Sequence, residues 1–417
     1  MGPDLILYNQ KKHRGDEEME LSQAILQQAM ALKADMISWR ETLHRHPELG
    51  LDTPWTQRFV VDRLTEMGYA PKKVGAAGYT VLAGKPGGKV ILLRADMDAL
   101  PLEEASGEPF RSECPGKMHA CGHDMHTAML LGAAKLLKEN EALLEGQVKL
   151  MFQSGEETGQ GAKDMVEAGV LEDPHVDVAE MIHVAAGVPF PTGLVLIPRG
   201  GTGASASCTF KIVVTGKGGH GAMPAKCIDP ITALCHIHSG LEEIYAREAD
   251  LCDFLTMTVG MIRGGDAPNV IPNTAEMSGT IRTMTMEKMD WAKKRLTEVA
   301  QGIGAVYRTE VEITFPKLLP PLIADGDVAD AAGRYMQELL GQGAMRVPND
   351  TKGGGSEDFA HVSVKVPSVP MFLAAGNAKE GYVHPAHHPQ VRFDENALPT
   401  GAAAHVYMAI RWLQEHK

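Results

Sequence analysis

The stretch VILLRAD at residues 90–96 is an apolar run that ends in charged residues, and it decides the fold class. A helical pattern follows at Thr127–Lys138, and two further apolar runs come after it, VKLMFQ at 148–153 and VAEMIHV at 178–184. Short apolar runs that alternate with helices are typical of strands buried in a sheet with helices on its faces. The sequence therefore predicts an α/β fold.

Helical patterns also precede this region. Apolar residues recur at helical spacing from Ala24 to Leu43, and a second helix is predicted near Thr56–Met67. The segment YNQKKHRGDEEME at 8–20 is polar and has neither the apolar core nor the cleavage site of a signal peptide. We therefore predict that residues 1–20 form a flexible extension.

The pattern changes after the glycine-rich stretch RGGTGASAS at 199–207. Strand, helix, strand, strand, helix and strand follow, and this βαββαβ order is that of a ferredoxin-like sandwich. The six segments are TFKIVVTG at 209–216, a helix at Pro230–Tyr245, LTMTVGMI at 255–262, AEMSGTIR at 275–282, a helix at Met286–Ile303 and VEITF at 311–315. The proline-rich PKLLPPL at 316–322 suits a second linker. We predict a small domain, 206–318, inserted into a larger domain made of 21–205 plus 319–417.

Composition excludes several classes of function. The net charge of −13, with scattered lysine and arginine, speaks against nucleic-acid binding, which needs a concentrated basic surface. No apolar run approaches the ~20 residues that cross a bilayer. Six cysteines without a CxxC pair or regular spacing indicate a reducing compartment rather than a disulfide framework. We therefore expect a soluble cytoplasmic protein with neither a nucleic-acid nor a membrane partner.

The clearest chemical signal is MHACGHD at residues 118–124, just before the helix predicted from Thr127. It places Cys121 and His123 two positions apart. A thiolate and an imidazole at this spacing can share one divalent ion or hold two neighbouring ones. The alternative is a small buried cysteine beside a capping histidine.

Carboxylates and histidines also follow the other predicted strands. In FQSGEE, Glu156 and Glu157 come directly after an apolar strand, at the carboxyl end where open α/β sheets place their sites. One carboxylate can ligate a metal while the other faces the bound water, and the alternative is a solvated acidic turn. His183 ends another apolar strand, as a ligand or as a core residue. A further histidine is needed near the carboxyl end, where the candidates are His384, His387 and His388.

Taken together, these motifs resemble the dinuclear-metal aminoacylase and carboxypeptidase family, in its hippurate hydrolase and auxin-conjugate (IAA-amino acid) hydrolase branch. The resemblance covers nearly the whole chain after about residue 35. It implies a mixed-sheet catalytic domain with an inserted lid and dimerisation domain. The motifs are LHRHPELG, RADMDALP, MHACGHDMHTAMLLGAA, FQSGEE, GKGGHGAMP with IDPI, GGDAPNVIPNTAEMSGTIRT, GGSEDFA and HHPQVRFDENALPTGAA.

The resemblance also implies roles for individual residues. Glu156 is expected to be the general base, and the carboxylate of Asp98 to orient a ligating histidine. His387 is the expected last ligand, because the family's ligand stands seven residues before the acidic residue that is Asp394 here. Cys121 is expected to bridge the two metal ions. The five expected metal ligands are Cys121, His123, Glu157, His183 and His387.

In the inserted domain, His220 and Asn269 match the family's substrate-contacting pair, and His220 is expected to reach the site of the partner in a homodimer. Arg282 is a candidate for holding the substrate carboxylate, and the alternative is a surface arginine that ends a strand. The sequence departs from the family at Ser154-Gly155, where proline and alanine are commoner. That departure predicts a looser loop before the two glutamates.

The implied activity is hydrolysis of the amide bond of N-acyl-L-amino acids, hippurate-like or N-acetylated, by metal-activated water. Two divalent ions are expected; thiolate and imidazole ligands favour zinc, with manganese, cobalt or nickel as alternatives. A dipeptidase or carboxypeptidase on the same scaffold, or an N-acetyl-diaminopimelate deacetylase, competes with this interpretation. A third interpretation is a non-enzymatic protein with a structural zinc site. Such a site is closed by four ligands, whereas here five ligands and an additional glutamate are expected.

Overall fold

The computed structural model describes residues 18–250, 253–349 and 355–417. Most of the extension predicted at 1–20, namely residues 1–17, lies outside the described residues. Residues 18–20 are helical.

The chain divides into two compact units. The first contains the described residues up to Gly201, together with Ile323–Asn349 and His361–Lys417. The second contains Thr202–Leu322 and the described part of Asp350–Ala360.

Up to residue 198, helices alternate with strands. In chain order these are α1 (18–31), α2 (Lys33–Arg45), α3 (Pro54–Glu66), β1 (Lys72–Val74), β2 (Gly78–Gly84), β3 (Val90–Asp96), α4 (His123–Glu139), β4 (Gln147–Gln153), α5 (Gly161–Glu167), β5 (Val178–Ala185) and β6 (Val195–Pro198). The three apolar runs are strands β3, β4 and β5, as predicted. The single helix predicted over 24–43 is instead two helices separated by a turn at Leu32, although the Met36 amide still donates to the Leu32 carbonyl at 3.0 Å.

The remaining elements follow in two groups. The middle group is β7 (Gly201–Ala204), β8 (Ala206–Thr215), β9 (Gly219–His220), α6 (Pro230–Glu243), β10 (Leu255–Gly264), β11 (Val270–Ile271), β12 (Thr274–Thr283), α7 (Met286–Tyr307) and β13 (Glu310–Leu319). The last group is β14 (Leu322–Ala324), α8 (Gly326–Leu340), β15 (Ala344–Val347), α9 (Ala360–Ser363), β16 (Ser368–Ala374) and α10 (Leu398–Glu415).

The first unit is built on one eight-stranded mixed sheet in the order β1-β2-β4-β3-β5-β16-β6-β15. Its four central strands, β4, β3, β5 and β16, are parallel to one another, whereas β2 and β6 run antiparallel to their central neighbours. The predicted mixed-sheet α/β fold is therefore confirmed. Parallel strands place their carboxyl ends at one edge of the sheet, so the loops that follow β3, β4, β5 and β16 meet there.

Helices α4 and α10 lie in the core of this unit and are buried around most of their circumference. A helix that is apolar on nearly all sides belongs in an interior. Close packing depends on small residues at the contact: a Cβ on Gly401 of α10 would lie 2.0 Å from the Met129 sulfur of α4. Strand β3 is buried along its whole length. The loops after these strands therefore start from a rigid base.

The second unit contains a four-stranded antiparallel sheet in the order β10-β12-β8-β13. With α6 and α7 it forms the predicted βαββαβ arrangement. The linker predicted at 316–322 is wrong at its start, because β13 continues through Pro316 to Leu319. A proline is tolerated there because β13 is an edge strand and its register with β8 shifts between Thr314 and Lys317.

Candidate metal centre

The loop that carries Cys121 leads directly into α4, which begins at His123 rather than at the predicted Thr127. Gly122 precedes the helix with a φ of +87°. A Cβ at Gly122 would lie 2.4 Å from Cγ2 of Val184 on β5, so only glycine allows this close approach. The approach brings Cys121 and His123 against the end of β5, which carries His183.

Five of the predicted side chains meet at the carboxyl edge of the large sheet. Cys121 Sγ lies 3.5 Å from His183 Nε2 and 3.3 Å from His387 Nε2, and His387 Nε2 lies 3.5 Å from Glu157 Oε1. The ligand atoms form two trios, each within 4.8 Å: Cys121 with His123 and His183, and Cys121 with Glu157 and His387. Cys121 belongs to both trios, so its sulfur lies between two potential metal positions.

Main-chain carbonyls fix the two histidines of the first trio. His123 Nδ1 donates to the Asp98 carbonyl at 2.8 Å, and His183 Nδ1 donates to the Val184 carbonyl at 2.7 Å. Each ring thereby leaves Nε2 as the nitrogen that could bind a metal ion. The Asp98 carboxylate lies 3.7 Å from His123 Nδ1 and accepts the backbone amides of Glu156 and Glu157, at 2.9 and 3.2 Å. Asp98 thus supports both the histidine and the glutamate loop.

The titratable groups of the cluster shift one another's pKa values because they are buried and closely packed. Burial by itself would raise the pKa of the Cys121 thiol, but the charges of His183 and His123 bring that pKa well below its usual value. Burial raises the pKa of Glu157 to about 7, although His123 opposes the shift. Burial would lower the pKa of His123, but the neighbouring Asp96 and Cys121 raise it well above the usual value. A bound cation would hold the thiol and the carboxyl in their deprotonated forms and the imidazole neutral.

The residues present fit divalent metal ions. Among the described residues, neither His123 Nε2 nor Glu157 Oε1 has a hydrogen-bond partner, although both atoms are buried. A buried polar atom without a partner costs on the order of 1–3 kcal/mol, and coordination to a cation would remove that cost. Thiolate, imidazole and carboxylate together are a donor set for borderline ions such as zinc.

Glu156 lies beside the ligand cluster. Its Oε2 is 4.0 Å from His123 Nε2, and its side chain is only 11% exposed. It forms a third trio with His123 and Glu157. Two adjacent carboxylates therefore point to different parts of one site: Glu157 towards Cys121 and His387, and Glu156 towards His123.

The loop before these glutamates is held firmly, contrary to the looseness expected from Ser154-Gly155. Gly155 has a φ of +84°, and a Cβ there would lie 2.6 Å from Leu51 Cδ2. The Ser154 amide donates to the Ala77 carbonyl at 2.8 Å, and the Ser154 hydroxyl is 2.5 Å from that of Thr53. The glycine fits this conformation without strain because it lacks a Cβ.

Of the three carboxyl-terminal histidines, His387 is the one whose ring lies against Cys121 and Glu157. The rings of His384 and His388 stack on each other, 4.0 Å apart. His387 has a φ of +67°, which is uncommon for a residue other than glycine, and its amide donates to the Ala120 carbonyl at 2.8 Å. That hydrogen bond ties the loop of His387 to the residue next to Cys121.

In the second unit, the two-stranded ribbon of β9 and β11 brings His220 and Asn269 close together. Val270 pairs with His220, and the Gly221 amide donates to the Asn269 carbonyl at 2.9 Å. Arg282 on β12 is partly buried and donates to the Ser356 hydroxyl at 2.9 Å. Arg282 is therefore tied to GGSEDFA, another of the quoted motifs.

Sequence reasoning missed two buried residues beneath the cluster, Asp96 and His126. Asp96 lies in the motif RADMDALP and His126 in the motif MHACGHDMHTAMLLGAA, but neither motif indicates that the two side chains meet. In the structure they are 2.6 Å apart, joined by a hydrogen bond between strand β3 and helix α4.

The central parallel strands bring cysteine, histidine and glutamate side chains that could hold metal ions to one edge of the sheet, beside a second glutamate. This arrangement is typical of a metal-dependent hydrolase. The chain belongs to the peptidase family M20/M25/M40, whose model matches residues 92–411.

The chain is similar to relatives along nearly its whole length. It is 35% identical over 400 residues to thermostable carboxypeptidase 2 of Saccharolobus solfataricus, covering 94% of this chain and 99% of the relative. It is 36% identical over 388 residues to the IAA-amino acid hydrolase ILR1-like 2 of Arabidopsis thaliana, covering 91% and 85%. The chain is also similar to a solved structure, the Bacillus subtilis YXEP protein, described as a dinuclear metal binding peptidase from the M20 family. The two structures superpose with a TM-score of 0.76 and are 32% identical in sequence. The match covers 92% of this chain and 99% of the YXEP chain.

These findings make the protein a hydrolase of amide bonds that uses divalent metal ions and acts on small molecules or peptides. Within the described residues, no helix has the length and hydrophobicity needed to cross a membrane.

Proposed function

We propose that this protein is an N-acyl-L-amino-acid amidohydrolase that holds two divalent ions per chain, with zinc favoured by the thiolate and imidazole donors. The observation that carries the proposal is the sharing of Cys121 by two ligand trios, with Glu156 beside them. One ion would lie among Cys121, His123 and His183, and the other among Cys121, Glu157 and His387. When bound, the ions would lower the pKa of a water molecule to about 7 and polarise the carbonyl of the substrate.

Glu156 would be the general base. One of its carboxylate oxygens would accept the proton of the attacking water and then deliver it to the departing amide nitrogen. The Glu156 backbone is held by its amide's hydrogen bond to Asp98, which supports a fixed position for the carboxylate. Glu157 lies with Cys121 and His387 and would bind a metal ion. Glu156 is not needed as a ligand in this arrangement and would be available for proton transfer.

The second unit would supply substrate contacts. The Ala222 amide donates to His220 Nδ1 at 3.1 Å, so the ring proton is on Nε2. His220 is exposed, and its Nε2–H is suited to donate to the oxyanion that forms at the scissile carbonyl, in the active site of a partner subunit. Asn269 would contact the substrate beside it, and Arg282 would pair with the substrate carboxylate.

Two matched substitutions test this assignment of the glutamates. Glu156→Gln should bind the same amount of metal as the wild type and lose about 100- to 10,000-fold in kcat, the range of general acid–base catalysis. Glu157→Gln should instead lose metal, because it replaces a ligand. Turnover and metal content measured on the same samples separate the two effects. Full turnover in metal-loaded Glu156→Gln protein would remove Glu156 from its proposed role.

A dipeptidase or carboxypeptidase is the main competing function, and the relative named a carboxypeptidase keeps it open. An N-acetyl-diaminopimelate deacetylase is another. Purified protein loaded separately with zinc, manganese, cobalt and nickel would be assayed on N-acetyl and N-benzoyl amino acids, on dipeptides and on N-acetyl-diaminopimelate. We expect the highest kcat/KM on an N-acyl amino acid. A higher value on dipeptides would replace the proposed activity with peptidase activity.

We also propose a homodimer that forms through the inserted domain. β10 is an edge strand of the four-stranded sheet, and its Ile262 side chain is 53% exposed. An unpaired edge with an exposed apolar side chain favours pairing with another strand. Light scattering should give a dimeric mass, and Ile262→Lys should shift it towards the monomer. A cytoplasmic location stays a prediction from the cysteine pattern.

A further inference from the structure

A chain of hydrogen bonds lies buried beneath the ligand cluster of the first unit. Arg94 Nη1 donates to Asp96 Oδ2 at 2.7 Å, and the other oxygen of Asp96 lies 2.6 Å from His126 Nδ1. The backbone amide of Val184 donates to His126 Nε2 at 2.8 Å. All three side chains of this chain are 2% exposed or less. It therefore connects β3 to β5 through helix α4.

The partners fix the tautomer of His126. The Val184 amide can only donate, so His126 Nε2 is an acceptor, and the ring proton is on Nδ1, from which it is donated to Asp96. Asp96 and His126 form a possible metal trio with His123, but their polar atoms are already engaged with each other, with Arg94 and with Val184. They are better suited to support the neighbouring ligands than to bind an ion.

Val184 links this chain to a ligand. Its amide is held by His126, and its carbonyl accepts the Nδ1–H of His183 at 2.7 Å. The His126 and His183 rings also meet edge to face, with centroids 4.7 Å apart. The position of the Val184 residue therefore sets the direction in which His183 Nε2 points.

We infer that His126 is a positioning residue for metal binding: by holding the Val184 amide, it fixes the carbonyl that orients His183 towards Cys121. The inference rests on the proposed function, in which His183 is a metal ligand. A residue that orients a ligand in this way changes metal affinity and coordination geometry, whereas a residue with only a structural role changes stability alone.

The chain offers a matched control for that distinction. His405 on α10 is as deeply buried as His126, and its Nδ1 lies 2.5 Å from Glu180 Oε1. Glu180 lies on β5, the strand of His183, three residues earlier. His405 therefore repeats the buried histidine–carboxylate pair on the same strand, but not the hydrogen bond to the Val184 amide.

Three substitutions in the full-length protein test the inference. His126→Asn keeps a donor near the position of Nδ1 and removes the acceptor for Val184, whereas His126→Gln can place an amide oxygen near the position of Nε2. His405→Asn is the control. Bound metal is first removed from each protein with a chelator. The metal-free protein is then titrated with cobalt(II) while the visible ligand-field and thiolate charge-transfer bands are recorded. Zinc content after dialysis and the midpoint of urea unfolding are measured in parallel.

We expect His126→Asn to weaken the binding of one of the two ions by about 10- to 100-fold and to change the ligand-field bands. His126→Gln should recover part of both. His405→Asn should keep the wild-type affinity and spectrum, whatever its urea midpoint. If His126→Asn does not fold, Asp96→Asn takes its place, because it weakens the bond that holds the His126 ring, and the same direction of change is expected.

Wild-type cobalt affinity and spectrum in folded His126→Asn, or in Asp96→Asn where that replaces it, would overturn the inference. So would equal loss of affinity in His405→Asn, because a general disturbance of β5 would then explain the result. If the wild-type protein itself took up no cobalt and gave no thiolate band, the proposed function would fail, and the inference would fail with it.

Discussion

Replacing Gly122 with alanine should disrupt the proposed metal centre through the backbone, without removing any of the proposed ligands. The new Cβ would lie 2.4 Å from Val184 Cγ2 and 3.1 Å from Cζ of Phe393. The φ of +87° is also unfavourable for a residue with a Cβ. Both effects act between Cys121 and His123, the proposed ligands on either side of Gly122, and the overlap involves Val184, which follows the proposed ligand His183.

The magnitude follows from these two effects. A left-handed conformation costs a residue with a Cβ roughly 1–2 kcal/mol. Overpacking of a buried site adds about 1–3 kcal/mol. Gly122→Ala should therefore lower the free energy of unfolding by about 2–5 kcal/mol. Metal affinity should fall as well.

Gly68→Ala is the matched control, because Gly68 has a φ of +83° with no atom within 4 Å of the new Cβ. It should cost only the roughly 1–2 kcal/mol of the backbone conformation. Urea unfolding of the metal-free proteins gives the two stabilities, and a zinc titration against a chromogenic chelator gives the affinities. The reasoning is refuted if Gly122→Ala is no less stable than Gly68→Ala and binds zinc like the wild type.

Three further predictions concern acid stability, the support of a loop and metal removal. Burial would raise the pKa of Glu104, but hydrogen bonding and charge from His44 lower that pKa to about 2. The ionised Glu104 carboxylate therefore stabilises the fold above its usual pKa of 4.5, and this stabilisation is lost as the pH falls towards 2. Glu104→Gln should therefore flatten the fall of the urea midpoint between about pH 5 and pH 3, and an unchanged slope would contradict this. Lys149 donates to the backbone carbonyls of Val170, Glu172 and Pro174, each at 2.8 Å, and so supports the loop before β5. Lys149→Met should lower the free energy of urea unfolding by about 1–3 kcal/mol. A loss below about 0.5 kcal/mol would contradict this role. Chelation should abolish amide hydrolysis while leaving the far-ultraviolet circular dichroism unchanged, and added zinc should restore it; a chelated protein that still turns over substrate would exclude the metal mechanism.

The sequence alone was sufficient where local pattern and tertiary structure agree. Strands β3, β4 and β5 are buried on both faces, so their apolar runs stand out, and the ferredoxin-like order is readable because each segment has its own periodicity. The resemblance to a family named the residues that meet in the metal centre. Local signals failed where tertiary contacts decide the conformation.

Helix α4 is one such failure. Its start at His123 has no side-chain cap, and it depends on the conformation of Gly122 and on the contact with Val184, which is distant in sequence. The continuation of β13 through Pro316 depends on its place at the edge of the sheet. The bond between Asp96 and His126 joins residues 30 positions apart, and nothing in either motif indicates it.

The most direct test of the central claim is a crystal structure of the zinc-loaded protein, with anomalous scattering recorded on both sides of the zinc absorption edge. Two zinc peaks about 3.5–4 Å apart, as in other two-metal sites, are expected, with Cys121 Sγ bonded to both. His123 and His183 should complete one site, and Glu157 and His387 the other. A single peak, or two peaks that do not share Cys121, would contradict the account.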